Sequence, residues 1–193
     1  MDFKRNPLLL LSIGLLAGIV VAESVYCITA PLIVPDGSVA IVTDRDYYPK
    51  VSSVLSGARQ SIHMVMFSAN HQTDPKYKDS HVNELLEDLI AAHNRGIDVR
   101  MVMDEWPEGN NKTRDYLVRN NVPARVLSTP GATTHAKLII VDGRVVVVGS
   151  TNWAYTSIDK NHEANVIISD GGIAGEFEAY FQSVYQSAEG QAS

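Results

Sequence analysis

Residues 135–153 read HAKLIIVDGRVVVVGSTNW. Two apolar runs, Lys137 to Val141 and Val145 to Val148, flank Asp142-Gly143-Arg144. Asp-Gly between β-branched runs is a strong hairpin signal, because both residues tolerate the positive φ of a tight strand-reversing turn. Positions i and i+2 of a strand share a face, so His135 and Lys137 project together while Ala136 and Leu138 point to the other side. Ionisable residues at the mouth of a buried strand need a reason. An imidazole beside an ammonium can attack a phosphorus and hold its oxygens. The hairpin then leads into Gly149-Ser150-Thr151-Asn152, whose hydroxyl and amide groups extend the set of phosphate donors, and Glu163 opens the next strand.

Outward from this hairpin, short apolar runs alternate with amphipathic segments, the pattern of a sheet covered by helices. Strands are expected at Ser38 to Val42, Ser61 to Phe67, Val99 to Met103, around Arg125 to Leu127, and at Ala164 to Ser169. Helices are expected at Tyr48 to Ala58 and near Thr113 to Asn120. The clearest helix is Val82 to Ala92, in which Val82, Leu85, Leu86, Leu89 and Ile90 form one stripe, with Ser80 as N-cap and Gly96 just past the end. A closing helix places Ile173, Phe177, Phe181 and Val184 on one face. Residues 38–187 contain no repeat and no linker, and read as one domain.

The chain has 193 residues, 16 Lys plus Arg against 22 Asp plus Glu, and one cysteine. A disulfide scaffold is excluded. The net charge of -6 argues against coating nucleic acid by bulk electrostatics, so phosphate chemistry must use a local cationic pocket. Pro7 to Ala22 is an uncharged run directly after Lys4 and Arg5, an export signature. Its length suits a signal peptide cut after Ala22 or Ala30, or a retained membrane anchor; a buried core helix is the third possibility. Residues 1–30 are therefore set apart as signal or anchor and residues 31–193 as the domain. The expected location is periplasmic or extracellular, or at a membrane held through residues 7–22.

His135 through Asp142 resembles the HxKxxxxD signature of the phospholipase D superfamily. GSTNW resembles its GSxN element, and Glu163 falls where its downstream acidic residue is expected. The strand Ser61 to Ser68, the helix ending AAHNRGIDV and the strand ending MVMDE look like the small single-motif nuclease branch. The resemblance implies an α/β sandwich, a mixed β-sheet flanked by helices on both faces. It implies a two-step displacement in which His135 forms a phosphohistidine and a second histidine protonates the leaving oxygen. Lys137 and Asn152 would hold the non-bridging oxygens with help from Ser150, and Glu163 would accept the other imidazole N–H. Asp142 is either a plain turn residue or a charge supporting the site from behind.

Only one such motif is present. His93 ends an amphipathic helix, so a second catalytic histidine must come from another copy, which implies a homodimer with one composite active site. His63, His71, His81, His93, His135 and His162 show no metal-ligand spacing, and neither metal nor cofactor is expected. The substrate class expected first is DNA or RNA, cut by a metal-independent endonuclease, with membrane phospholipid as the alternative and an idle scaffold as a third reading. The loop Asn70 to Ser80 is either a substrate-contacting lip or a solvated loop.

Overall fold

The computed structural model describes residues 35–77 and 80–189. The signal or anchor expected in residues 1–30, with its run at 7–22, lies outside the described residues. Seven strands, β1 (Ser38–Thr43), β2 (Ser61–Met66), β3 (Asp98–Asp104), β4 (Ala124–Leu127), β5 (Lys137–Val141), β6 (Val145–Gly149) and β7 (Ala164–Ser169), form one sheet in the order β1-β7-β6-β5-β2-β3-β4. Among the described residues five α-helices accompany them: α1 (Tyr47–Ser56), α2 (His81–Asn94), α3 (Gly109–Arg119), α4 (Tyr155–Asp159) and α5 (Gly171–Glu189).

The sheet is mixed, as expected. Helical crossovers make β2, β3 and β4 parallel, whereas β5, β6, β7 and β1 pair antiparallel with their neighbours and β5 antiparallel with β2. As a result the C-terminal ends of β1, β2, β3, β4 and β6 meet the N-terminal ends of β5 and β7 along one edge. Every loop at that edge is free to carry chemistry while the strands behind it are locked.

Alternation along the strands divides the core in two. Ile62, Met64, Met66, Met101, Met103, Ile139 and Ile167 pack against α1 and α2, whose Val51, Leu55, Val82, Leu85, Leu86 and Leu89 are fully buried. Val65, Val102, Leu138, Ile140 and Val146 face α5 through Phe181, Tyr185 and Ala188. Helices thus cover both faces, unequally.

Departures from the expected elements have local causes. Helix α3 begins four residues early, since GNNKTRD carries no apolar stripe and is held by Asn110 and Thr113, both fully buried polar residues. Helix α4 lies in what read as loop; its Asp159 accepts a hydrogen bond from His81 Nδ1. Ser80 occupies the N-cap of α2, yet its hydroxyl makes no capping bond, and Asn83 and Glu84 donate to its carbonyl oxygen instead. Ile173, assigned to the buried face of α5, is 40% exposed because it lies at the rim of a cavity beside His135.

Candidate active site

Strand β5 presents Lys137 and, two residues before it, His135 at the functional edge. Lys137 is only 8% exposed. Its Nζ donates to the His135 carbonyl oxygen at 2.9 Å and lies 3.0 Å from His135 Nδ1, with the Phe67 ring centroid at 5.0 Å. Burial pulls the Lys137 ammonium below the usual lysine range, and the Glu163 carboxylate partly restores it. The His135 ring leans on Phe67, with centroids 4.4 Å apart and planes at 44°. An imidazole held between an aromatic wall and an ammonium keeps one orientation.

The GSTNW segment closes the other side. A Cβ at Gly149 would stand 2.5 Å from the Ala164 carbonyl oxygen and 2.6 Å from Asn165 Cα, so only glycine lets β6 run this close to the start of β7. Ser150 is thereby laid beside Glu163, and its hydroxyl donates to the Glu163 carboxylate. Thr151 is fully buried and bonded to the Asn165 amide, while the Trp153 indole donates to the Tyr47 hydroxyl at 3.1 Å. Between these two anchors, Asn152 keeps a buried amide oxygen with no hydrogen-bond partner. Such an acceptor takes its hydrogen from outside the chain's own donors, from water or from a group that carries N–H or O–H.

Glu163 departs from its expected role. Its carboxylate receives the Ser150 hydroxyl and Asn161 Nδ2, and no hydrogen bond joins it to His135 within the chain. The reason is register: Ser150 N–H bonds to Ala164 O across the β6–β7 pair, which puts Ser150 nearer to Glu163 than the imidazole is. Asp44 backs this corner; its carboxylate accepts from Glu163 N–H at 2.8 Å and pairs with His162, which hold it below the usual carboxylate range.

Asp142 is not with the others. It lies at the opposite end of β5, about 16 Å from Lys137 at strand rise. There it adopts φ +56 and its carboxylate accepts the backbone N–H groups of Arg59, Gln60 and Ser61 at 2.7 to 3.1 Å. Its position is therefore structural, clamping the start of β2. Replacing Asp142 with Ala orphans those donors and is expected to cost about 2 to 3 kcal/mol. Denaturant melts read the loss; full stability with abolished turnover would instead return Asp142 to the chemistry.

Two residues absent from the sequence expectations join the site. Asp104, at the end of β3 and 3% exposed, accepts the Thr134 N–H at 2.6 Å and the Trp106 N–H at 2.8 Å. It thereby fixes the segment that delivers His135. Asn110 donates to the carbonyl oxygens of Phe67 and Asp104, tying the loop under His135 to the same hub. A carboxylate at the C-terminal end of a buried parallel strand was the available signal, since sites in α/β sheets collect there. The loop from Asn70 is ordered near its base, where Asn83 bonds Gln72 in both directions and His71 stacks on Tyr116 at 3.8 Å.

This geometry coincides with a family match over residues 51–185, described as cardiolipin synthase, PLD-like domain. The chain belongs to the phospholipase D superfamily. It is 25% identical over 145 residues to a mitochondrial cardiolipin hydrolase of Danio rerio, covering 70% of this chain and 55% of that protein. The chain spans about half the length of the curated relatives it matches first. Among solved structures, Nuc of Salmonella typhimurium, a phospholipase D family member, aligns with a TM-score of 0.64 at 28% identity, over 78% of this chain and 95% of that one. NucT from Helicobacter pylori shares the fold at a TM-score of 0.64 and 21% identity, over 78% and 98%. The mixed seven-stranded sheet of this chain is the superfamily fold.

Proposed function

We propose that this protein hydrolyses phosphodiester bonds in nucleic acid through a phosphohistidine intermediate, as a homodimer with one composite site. The observation that carries the chemistry is the His135–Lys137 pair, 3.0 Å apart at the edge that the GSTNW segment closes. His135 attacks phosphorus, the P–O bond to the leaving group breaks, and His135 of a second copy gives that oxygen its proton. Water then attacks the phosphohistidine, the P–N bond breaks, and the second histidine takes up the water proton. Lys137 Nζ and the Asn152 Nδ2 group donate to the non-bridging oxygens, where charge accumulates, while the Ser150 hydroxyl stays with Glu163.

The choice of nucleic acid is supported by the alignment with Nuc, which takes in 95% of that chain, and by the resemblance to the small nuclease branch. A second copy is supported by the apolar surface on the α5 side of β1, where Val39 and Ile41 are 63% and 74% exposed, together with Ile173 and Tyr180. Export, by a cleaved signal or an anchor in residues 1–30, is part of the proposal. Among the described residues no helix is long and apolar enough to cross a membrane.

Phospholipid hydrolysis is the second reading. It is favoured by the cardiolipin hydrolase relatives and by a cavity of about 480 Å3 beside His135, lined by Leu138, Val148, Ile173 and Phe177. A parallel assay of the purified protein on single-stranded DNA, duplex DNA, RNA and phospholipid vesicles, with His135→Ala as control, separates the two. Cleavage of nucleic acid in excess EDTA is expected, since His135 supplies the nucleophile and Lys137 the positive charge in this mechanism. Turnover that returns only on adding a divalent ion would replace this mechanism with a metal-assisted one.

A further inference from the structure

One element at the functional edge has no part in the phosphoryl chemistry. Trp106 follows Asp104 and Glu105 at the end of β3 and is 77% exposed, while the other tryptophan, Trp153, is fully buried. An indole costs the free protein when left in water, and Trp106 is held there, its backbone N–H fixed by Asp104. Its ring continues a ladder toward the nucleophile: Trp106 faces Phe67 with centroids 6.1 Å apart and planes at 19°, and Phe67 in turn contacts His135.

Trp106 is also one wall of a cavity of about 320 Å3, whose other walls include Glu105, Leu127, Thr129 and Thr133. A second cavity of about 420 Å3 shares Leu127, Thr129 and Thr133 and reaches Thr134 and His135, so the two form one groove leading from the nucleophile. The groove runs from the end of β3 past His135, and Tyr180, part of the apolar surface assigned above to a second copy, stands on its α5 wall.

We propose that this groove is a base-binding subsite, in which Trp106 stacks one unpaired nucleobase flanking the scissile phosphate. The inference rests on the nucleic-acid reading of the site and narrows it to single strands. A flat aromatic face beside hydroxyls and a carboxylate suits a ring with a π-face and a hydrogen-bonding edge. It does not suit an acyl chain, which would leave those polar groups unpaired. Glu105 repels phosphate but accepts from exocyclic amino groups, so the base points toward Trp106 and the phosphate toward Lys137. A base within a duplex is stacked and paired on both sides and cannot enter without being pulled out.

The test uses an unstructured DNA oligonucleotide, the same strand annealed to its complement, and the same strand with abasic residues flanking the central phosphodiester. The wild-type protein is expected to favour the intact single strand over the abasic one by roughly 5- to 100-fold in kcat/KM at that phosphodiester. Trp106→Ala is expected to erase most of that ratio, and Trp106→Phe to restore part of it. A ratio near one in the wild type, or one unchanged in Trp106→Ala, overturns the subsite while leaving the nuclease. His135-dependent hydrolysis of phospholipid vesicles with no oligonucleotide cut overturns both, and assigns Trp106 to the membrane surface.

Discussion

Replacing His135 with Ala is expected to lower turnover by about 10,000-fold or more, with the fold unchanged. The imidazole is exposed at the edge, touching Phe67 and Lys137 but belonging to neither hydrophobic core, so its removal acts chiefly on chemistry. No other described histidine stands beside Lys137 and Asn152: His63 is buried against Glu178 and Phe181, His81 is bonded to Asp159, and His162 to Asp44. The same substitution interrogates the assembly. If nucleophile and proton donor are the His135 residues of two copies, a purified mixed dimer carrying one intact and one Ala-substituted chain retains little activity. Half the wild-type rate in that mixed dimer would show that each chain works alone and would end the composite-site proposal.

Lys137 is the second large effect. Removing its charge by substitution with Met is expected to lower turnover by about 100- to 1,000-fold, because the non-bridging oxygens lose buried cationic charge. Burial lowers its pKa from the ordinary 10.5, so the ammonium gives up its proton at a lower pH than a solvated lysine would. The rate therefore falls on the alkaline side before the usual lysine range is reached. Lys137→Arg, which stays protonated throughout, should be slower but lack that alkaline limb; an identical limb in the Arg variant would assign it to another group. Stability moves the other way. Between the depressed folded pKa and the unfolded one, the unfolded chain binds more protons, so stability rises with pH there. At neutral pH the buried charge is a burden, and Lys137→Met should melt higher than the wild type while working far more slowly.

The hairpin and both faces of the sheet were legible because their signals are local: β-branched runs about an Asp-Gly turn, and a stripe of five apolar residues along α2. The candidate residues His135, Lys137, Ser150, Asn152 and Glu163 come from spacing and family pattern, and the fold puts all five at one edge. What escaped depends on strand direction and register, which spacing alone does not reveal. Asp142 reads as part of a contiguous signature, yet a five-residue strand carries it to the far edge. Glu163 was expected against the imidazole, and cross-strand pairing hands it to Ser150. Asp104, Asn110 and Trp106 come from a stretch without apolar periodicity, and only the parallel placement of β3 beside β2 brings them under Phe67 and His135.

The clamp between Asp142 and the N–H groups of Arg59 to Ser61 also governs parity. Side chains alternate along a strand, so sliding β5 by one residue against β2 would turn His135 and Lys137 toward α5 and bring Ala136 to the reactive side. The strand itself offers weak resistance to such a slip. Leu138, Ile139, Ile140 and Val141 are all apolar and all buried, and either phase would leave greasy side chains on both faces. A carboxylate that engages three successive amides only in one phase breaks that near-degeneracy. The acidic end of the signature thus decides, from the far side of the sheet, which way the nucleophile looks.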